Sequence, residues 1–353
     1  MKYNQFGNIG VLVSEMCLGT MTFGGSGYWK AMGELQQDAV NDIIKTAVDN
    51  GVNFIDTANV YSFGQSETLL GRALKMLGLS RHELIIATKV RGRMGEGKNQ
   101  VGLGRLQIMQ QIEESLKRLQ TDHVDLYQIH GLDPITPLEE TMRGLEDVVR
   151  SGKVRYIGCS NLAAWQVMKA NGIAKKNGWT KFVSTQNYYS IAGRDLENEI
   201  VPMVRDQQMG ILPWSPLAGG FLSGKYTRTN KPADESRRLN FDFPPINQER
   251  AYDIIDAMEP IANDHGVSVA RIALAWLLAK PAVTSVIIGA KNTHQLMDNI
   301  NAVDLILTTG QLAELDRVSA TPKPYPQWMI ERQWGDRLCP PNFAPKPVAA
   351  GTK

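Results

Sequence analysis

The chain has 353 residues, 43% of them hydrophobic, enough to bury a large core either as one α/β barrel or as two ordinary domains. Its 38 Lys and Arg stand against 36 Asp and Glu, and the signs alternate without blocks. That balance argues against a nucleic-acid groove and against a polybasic membrane surface.

Cys17, Cys159 and Cys339 lie far apart and form no paired motif, so neither a disulfide framework nor a zinc site is expected. From Met1 to Leu12 the residues Asn4, Gln5, Gly7, Asn8 and Gly10 stand where a signal peptide needs an apolar run. No segment approaches the roughly 18 consecutive apolar residues of a membrane span, and the cytoplasm is the expected compartment.

In chain order, a hairpin turning near Gly7 to Gly10 is expected first, capping the floor of the fold. Short β-branched runs then alternate with longer amphipathic stretches. The expected strands are 16–19, 53–56, 84–88, 124–129, 154–159, 182–186, 210–214 and 285–288. Helical patterns separate them, among them 38–50, 105–119, 137–151, 163–177 and 269–280. Gly51 and Gly152 follow two of these helices, Pro137 opens one and Pro281 follows the last. Eight such units with no linker-like shift in composition favour a single (β/α)8 TIM barrel over residues 1–320, with long loops at its C-terminal face. The proline-rich stretch 321–353 reads as an extended tail packing on the barrel.

Two long loops interrupt the rhythm, Gly-rich and basic Arg91 to Gly104, and Gly- and Pro-rich Ser215 to Ile246. The first contains Gly92 to Lys98, which fits the spacing of a phosphate-binding loop. It fails where Asn99 replaces the Ser or Thr that would bind Mg²⁺, and where further residues separate it from the helix. A loop bordering a substrate pocket is the better account.

Catalytic groups of a barrel sit at the C-terminal ends of its strands. Asp56, Lys89 and His130 close three consecutive strands, and Tyr61 follows Asp56 within the same loop. A carbonyl that accepts hydride must also receive a proton on oxygen. Free tyrosine, with a pKa of about 10, is too weak an acid, but a neighbouring lysine cation favours tyrosinate and an aspartate fixes the lysine. Tyr61 then reads as the acid, Lys89 and Asp56 as the groups that tune it, and His130 as the donor that orients the carbonyl.

With these residues in place the chain resembles the aldo-keto reductase superfamily, particularly its longer-chain bacterial and plant branch, from Tyr3 to about Leu315. The stretch from Gly51 to Tyr61 with Glu67 and Gly71 is similar to the family's first motif, Ile85 to Val90 to its lysine strand, and Leu119 to His130 to the segment ending at its histidine. The resemblance implies NADPH bound across the barrel mouth without a Rossmann glycine fingerprint, and none follows the first strand here.

By the same resemblance, Ser160, Asn161 and Gln186 would hold the nicotinamide carboxamide and Trp214 would stack on its ring. Ser215, Pro216, Leu217, Gly219 and Lys225 would cover the pyrophosphate, the glycines permitting close approach. Gly289, Lys291, Gln295, Asp298 and Asn299 would bind the adenosine end, Lys291 facing a 2′-phosphate near a helix N-terminus. Thr20, Met21 and Asp56 would contact the nicotinamide ribose side.

Phe23 and Trp29 are the first candidates for the substrate wall, with Tyr28, Tyr189, Trp328 and Trp334 behind them, suiting a bulky apolar carbonyl. His82, His123, His265 and His294 read as surface or loop residues, with no metal-ligand spacing. Two other classes remain open. Barrels of this family also serve as cofactor-binding regulatory subunits, such as the β-subunits of voltage-gated potassium channels. Against that stands Tyr3, which begins the barrel's own hairpin and leaves no long extension before it. A barrel glycosidase would need a second acid near Asp56, where Lys89 and His130 stand instead.

Overall fold

The first residues pair as a hairpin, β1 (Tyr3–Gln5) antiparallel to β2 (Leu12–Ser14), with Tyr3 opposite Ser14. Phe6 and Val13 of this hairpin pack with Cys17, Phe54, Ala87, Leu126 and Leu212. The Phe6 ring meets Phe54 edge-on, centroids 5.6 Å apart, so the hairpin plugs the barrel floor as expected. The computed structural model describes residues 1–230, 238 and 241–333.

Beyond the hairpin the described elements run β3 (Met16–Gly19), α1 (Gln37–Asp49), β4 (Phe54–Asp56), α2 (Gln65–Met76), β5 (Ile85–Val90), α3 (Arg105–Leu119) and β6 (Val124–Ile129). They continue with α4 (Leu138–Arg150), β7 (Val154–Ser160), α5 (Ala164–Asn177), β8 (Phe182–Tyr188), α6 (Ile200–Gln207) and β9 (Gly210–Trp214). The last are α7 (Gln248–His265), α8 (Val269–Leu278), β10 (Val286–Ile288), α9 (Thr293–Ile300), α10 (Thr309–Val318) and α11 (Gln327–Gln333).

Strands β3 to β10 form one parallel sheet in the order β10-β3-β4-β5-β6-β7-β8-β9. A bridge between Ile211 and Val283 brings β9 against the segment entering β10, so the barrel nearly closes. This is the expected (β/α)8 barrel, and all eight expected strands are present within two residues of their bounds.

Strand side chains alternate between two faces. Leu18, Ile55, Ile86, Tyr127 and Ile157 face outward into the large core shared with the helices, while Cys17, Phe54, Ala87 and Leu126 face inward. Burying a side chain of this size stabilises by about 1.5–3 kcal/mol, so the outer layer carries most of the fold. The inner positions above the apolar floor are left for polar groups.

The tail beyond Ala320, expected as an extended segment, contains the short helix α11 over Gln327–Gln333, because no proline stands between Pro326 and Pro340 and the run after Pro326 is made of helix-tolerant residues. Gln327 ties it to the segment after β8, donating to the Asn198 carbonyl at 3.1 Å and to the Glu199 carboxylate. Trp328 is half-exposed against the Tyr325 ring, while Trp334 and Cys339 lie outside the described residues.

Candidate active site

The inward positions above the floor are Asp56, Lys89, Gln128 and Gln186, with Lys89 paired in register with Gln128. All four are buried. The Lys89 ammonium donates to Asp56 Oδ2, to the Thr57 carbonyl at 2.9 Å and to Tyr61 Oη at 3.1 Å, which uses its three hydrogens. Burial opposes its charge, but the Asp56 carboxylate and Tyr61 outweigh that and hold the ammonium above its ordinary pKa. Because Tyr61 Oη accepts from Lys89, its own hydrogen points away from the ammonium.

The second oxygen of Asp56 is held as firmly. Gln128 Nε2 and Gln186 Nε2 each donate to Oδ1 at 2.9 Å. An ionised carboxylate only accepts, so both amides must present nitrogen to it. A further bond of 3.3 Å from Gln186 Nε2 to Gln128 Oε1 joins the two, leaving Gln186 Oε1 with no donor among the described residues.

Tyr61 sits on the turn between β4 and α2, where Ser62 and Phe63 adopt φ of 47° and 53° and Gly64 follows at 91°. A left-handed conformation costs an L-residue about 1–2 kcal/mol, so the surroundings must hold this turn in place. On one side, a Cβ on Gly64 would stand 2.7 Å from Arg118 Cδ. Arg118 itself binds the fully buried Glu67 of α2 at 2.7 Å, and Thr88 donates to the other Glu67 oxygen at 2.5 Å. Gly71 lets α2 approach this point, since a Cβ there would lie 2.6 Å from the Leu119 carbonyl.

His130 stands beside Tyr61, ring centroids 5.7 Å apart at 74°, and Trp29 packs edge-on to Tyr61 at 5.4 Å. Burial, then the positive Lys89 and Arg91, press the His130 pKa well below the usual imidazole range. It is therefore neutral at pH 7. The sequence-predicted quartet is thus brought together, and Met21, Trp29 and Tyr61 share one apolar cluster. Phe23, also expected in the wall, is fully buried in the main core.

The other expected contacts divide. Asn161, left-handed at φ 56°, donates to Ser160 Oγ at 2.9 Å and accepts from Trp214 Nε1 at 3.0 Å, so these three form one group beside His130. Trp214 stacks at 9° on Phe243 with centroids 5.5 Å apart. In the 215–224 turn, the Gly219 amide donates to Ser215 Oγ and the Gly220 amide to the Leu217 carbonyl, while Pro216 is buried. The absent Cβ of Gly219 makes room for the Phe243 carbonyl, which it would meet at 2.5 Å. Lys225 and Lys291 are exposed, and Gly289 has almost no neighbours at its Cβ position.

At the expected adenosine end, Gln295 accepts from the Lys291 amide at 3.0 Å and Asn299 donates to the Gly289 carbonyl at 3.3 Å. Both Asp298 oxygens are engaged, one by Arg271 at 2.8 Å and one by Ser268 at 2.6 Å. The Thr20 hydroxyl is likewise engaged, by Ser66 at 2.8 Å. Gly92 to Lys98 is a self-contained loop, with Arg93 binding the Gly95 and Gly97 carbonyls and α3 beginning only at Arg105.

Sequence reasoning missed Gln128 and Ser62. Gln128 stands in β6, two residues before His130, which follows the strand directly, and the two-residue period from Leu126 is the signal that could have placed it on the inward face. Nothing local marks Ser62, since a left-handed serine is not written in its type.

The sequence profile described as "Aldo/keto reductase family" matches residues 15–320. The chain is 37% identical to "Uncharacterized oxidoreductase YrpG" of Bacillus subtilis (strain 168), over 91% of this chain and 97% of that protein. It is 35% identical to "Versiconal hemiacetal acetate reductase" of Aspergillus parasiticus, over 90% and 96%. It is also 34% identical to "Probable voltage-gated potassium channel subunit beta" of Oryza sativa subsp. japonica, over 93% and 98%.

Proposed function

The chain belongs to the aldo/keto reductase family, and from that premise we propose that it reversibly reduces an aldehyde or ketone to an alcohol, with NADPH as hydride donor and Tyr61 as proton donor. The observation that carries this reading is the three-way bonding of Lys89 to Asp56, Thr57 and Tyr61 in a wholly buried site. The dihydronicotinamide, when bound, supplies the hydride.

The donor set suits such a cofactor. Gln186 Oε1 offers an acceptor to a carboxamide, Ser160 and Asn161 lie beside it, and the Trp214 ring would take the nicotinamide in place of Phe243, which stacks on it here. Exposed Lys291 near the N-terminus of α9 offers charge to a 2′-phosphate, which favours NADPH over NADH. Asp298 and Thr20, already engaged, serve this reading as supports of the surrounding segments.

Toward the carbonyl, neutral His130 donates a hydrogen bond that orients the oxygen without delivering a proton. Tyr61 gives the proton, and the Lys89 ammonium stabilises the phenolate left behind. Asp56 keeps that ammonium charged and in place, and Gln128 and Gln186 keep Asp56 in place. In the oxidative direction the same phenolate takes the proton back.

Fluorescence titration with NADPH and NADH, followed by a screen of aldehydes and ketones with wild type and Tyr61→Phe, tests the proposal. Tighter binding of NADPH is expected, with kcat about 10²–10⁴-fold lower in Tyr61→Phe. Failure to bind either nucleotide would sink the reading, and full activity in Tyr61→Phe would move the proton donor elsewhere. The similarity to the rice relative favours a second reading, a cofactor-binding regulatory subunit with slow turnover. Tight NADPH binding with no reducible carbonyl would support it.

A further inference from the structure

Ser62 is buried, left-handed and wrapped by the first βα loop. Its Oγ accepts from the Gly25 amide at 2.8 Å and donates to the Phe23 carbonyl at 3.2 Å. Its own carbonyl accepts from Ser26 Oγ at 3.3 Å. A Cβ on Gly24 would lie 2.8 Å from the Ser62 Cβ, so only glycine lets the two backbones come this close. Gln36 then holds the Gly24 carbonyl at 3.0 Å, closing the loop around the serine.

The residues joined here belong to two parts of the site. Ser62 follows Tyr61 directly, and the loop it binds carries Trp29, whose ring packs on Tyr61. A glycine at position 62 would adopt φ of 47° without strain, so the left-handed serine is held by what its hydroxyl binds.

We propose that Ser62 is a positioning residue that latches the first βα loop to the turn bearing Tyr61, so that the Trp29 wall and the proton donor are set as one unit. The catalytic half of this inference rests on the reductase reading above; the latch itself does not.

The test uses Ser62→Gly and Ser62→Ala in the full chain. Glycine relieves the left-handed strain while removing the hydroxyl, so Ser62→Gly should melt near the wild-type temperature. Amide exchange, read by mass spectrometry on peptides spanning residues 20–36, should nevertheless accelerate about tenfold or more at Gly25 in both variants. In the same proteins kcat for an aromatic aldehyde should fall about tenfold, with KM changing far less, as misplacement of a reacting group requires.

Unchanged exchange would remove the latch. Faster exchange with unchanged kcat would overturn its link to Tyr61. If wild type binds no nicotinamide nucleotide or reduces nothing, the reductase reading fails on its own account, and the catalytic half of this proposal falls with it. The exchange measurement still decides whether Ser62 holds the loop.

Discussion

Gln128 Nε2 lies 2.9 Å from Asp56 Oδ1, the carboxylate oxygen opposite the one that binds Lys89. Gln186 donates to that same oxygen at the same distance, so two amides from strands β6 and β8 share one acceptor. Either one alone still satisfies it. Gln128→Leu and Gln186→Leu should therefore each destabilise by about 1–3 kcal/mol. The double variant should exceed the sum by about 1 kcal/mol or more, because only then is the buried oxygen left bare. Urea unfolding of the four proteins measures this, and strict additivity would refute the shared role.

The Lys89–Asp56 pair gives a sharper cycle. Lys89→Met leaves the Asp56 carboxylate buried without its cation and should destabilise by about 3–5 kcal/mol. In an Asp56→Asn background the same change removes no ion pair, and its effect should shrink to less than half. Equal effects in both backgrounds would mean that the pair contributes nothing beyond packing.

His130 supplies a pH dependence. Its folded pKa lies below the unfolded value near 6.5, so below about pH 6.5 the unfolded chain binds a proton that the folded chain refuses. Stability is then complete above the unfolded pKa and falls as pH drops toward the folded one, by at most about 1.4 kcal/mol per pH unit. Denaturant melts at several pH values between about 7.5 and 5 should show this slope in wild type and a shallower one in His130→Gln. Parallel curves would contradict it. Because His130 stays neutral, kcat/KM should show no inflection near pH 6.5.

Two glycines on helices should respond to alanine with opposite signs. A Cβ at Gly71 meets the Arg118 and Leu119 carbonyl oxygens at 2.6 Å, and backbone cannot yield cheaply. Gly71→Ala should cost about 1–3 kcal/mol despite the better helix propensity of alanine. Gly172, on the exposed face of α5, has nothing within 4 Å, and Gly172→Ala should stabilise by up to about 1 kcal/mol. Thermal melts of both decide it; a stabilised Gly71→Ala would show that α2 and α3 can separate without penalty.

Much of the barrel is legible in the sequence because its signals are local. Strand runs such as Val124 to Ile129 alternate faces every residue, and Gly51, Gly152 and Pro137 mark where helices start or stop. The residues at the strand ends, Asp56, Lys89 and His130, follow from the same rule that places inward side chains at the mouth. The helix α2 is harder to read, since its first turn buries Ser66 and Glu67 and so breaks the apolar stripe that marks a helix. The tail helix α11 is obscured by the prolines before it.

What the sequence alone determined is therefore the order of the units, the barrel and the strand-end positions of Asp56, Lys89 and His130, because hydrophobic period and punctuation act over a few residues; the resemblance to the family singled out Tyr61 and joined the four into one set. Only the tertiary structure decided how those residues are held. The amides of Gln128 and Gln186 reach Asp56 across 72 and 130 residues of chain, and Ser62 meets Gly25 across 37. The strand period gives the face on which such a residue lies, but which distant residue it meets depends on strand register once the barrel has closed, and no local pattern carries that.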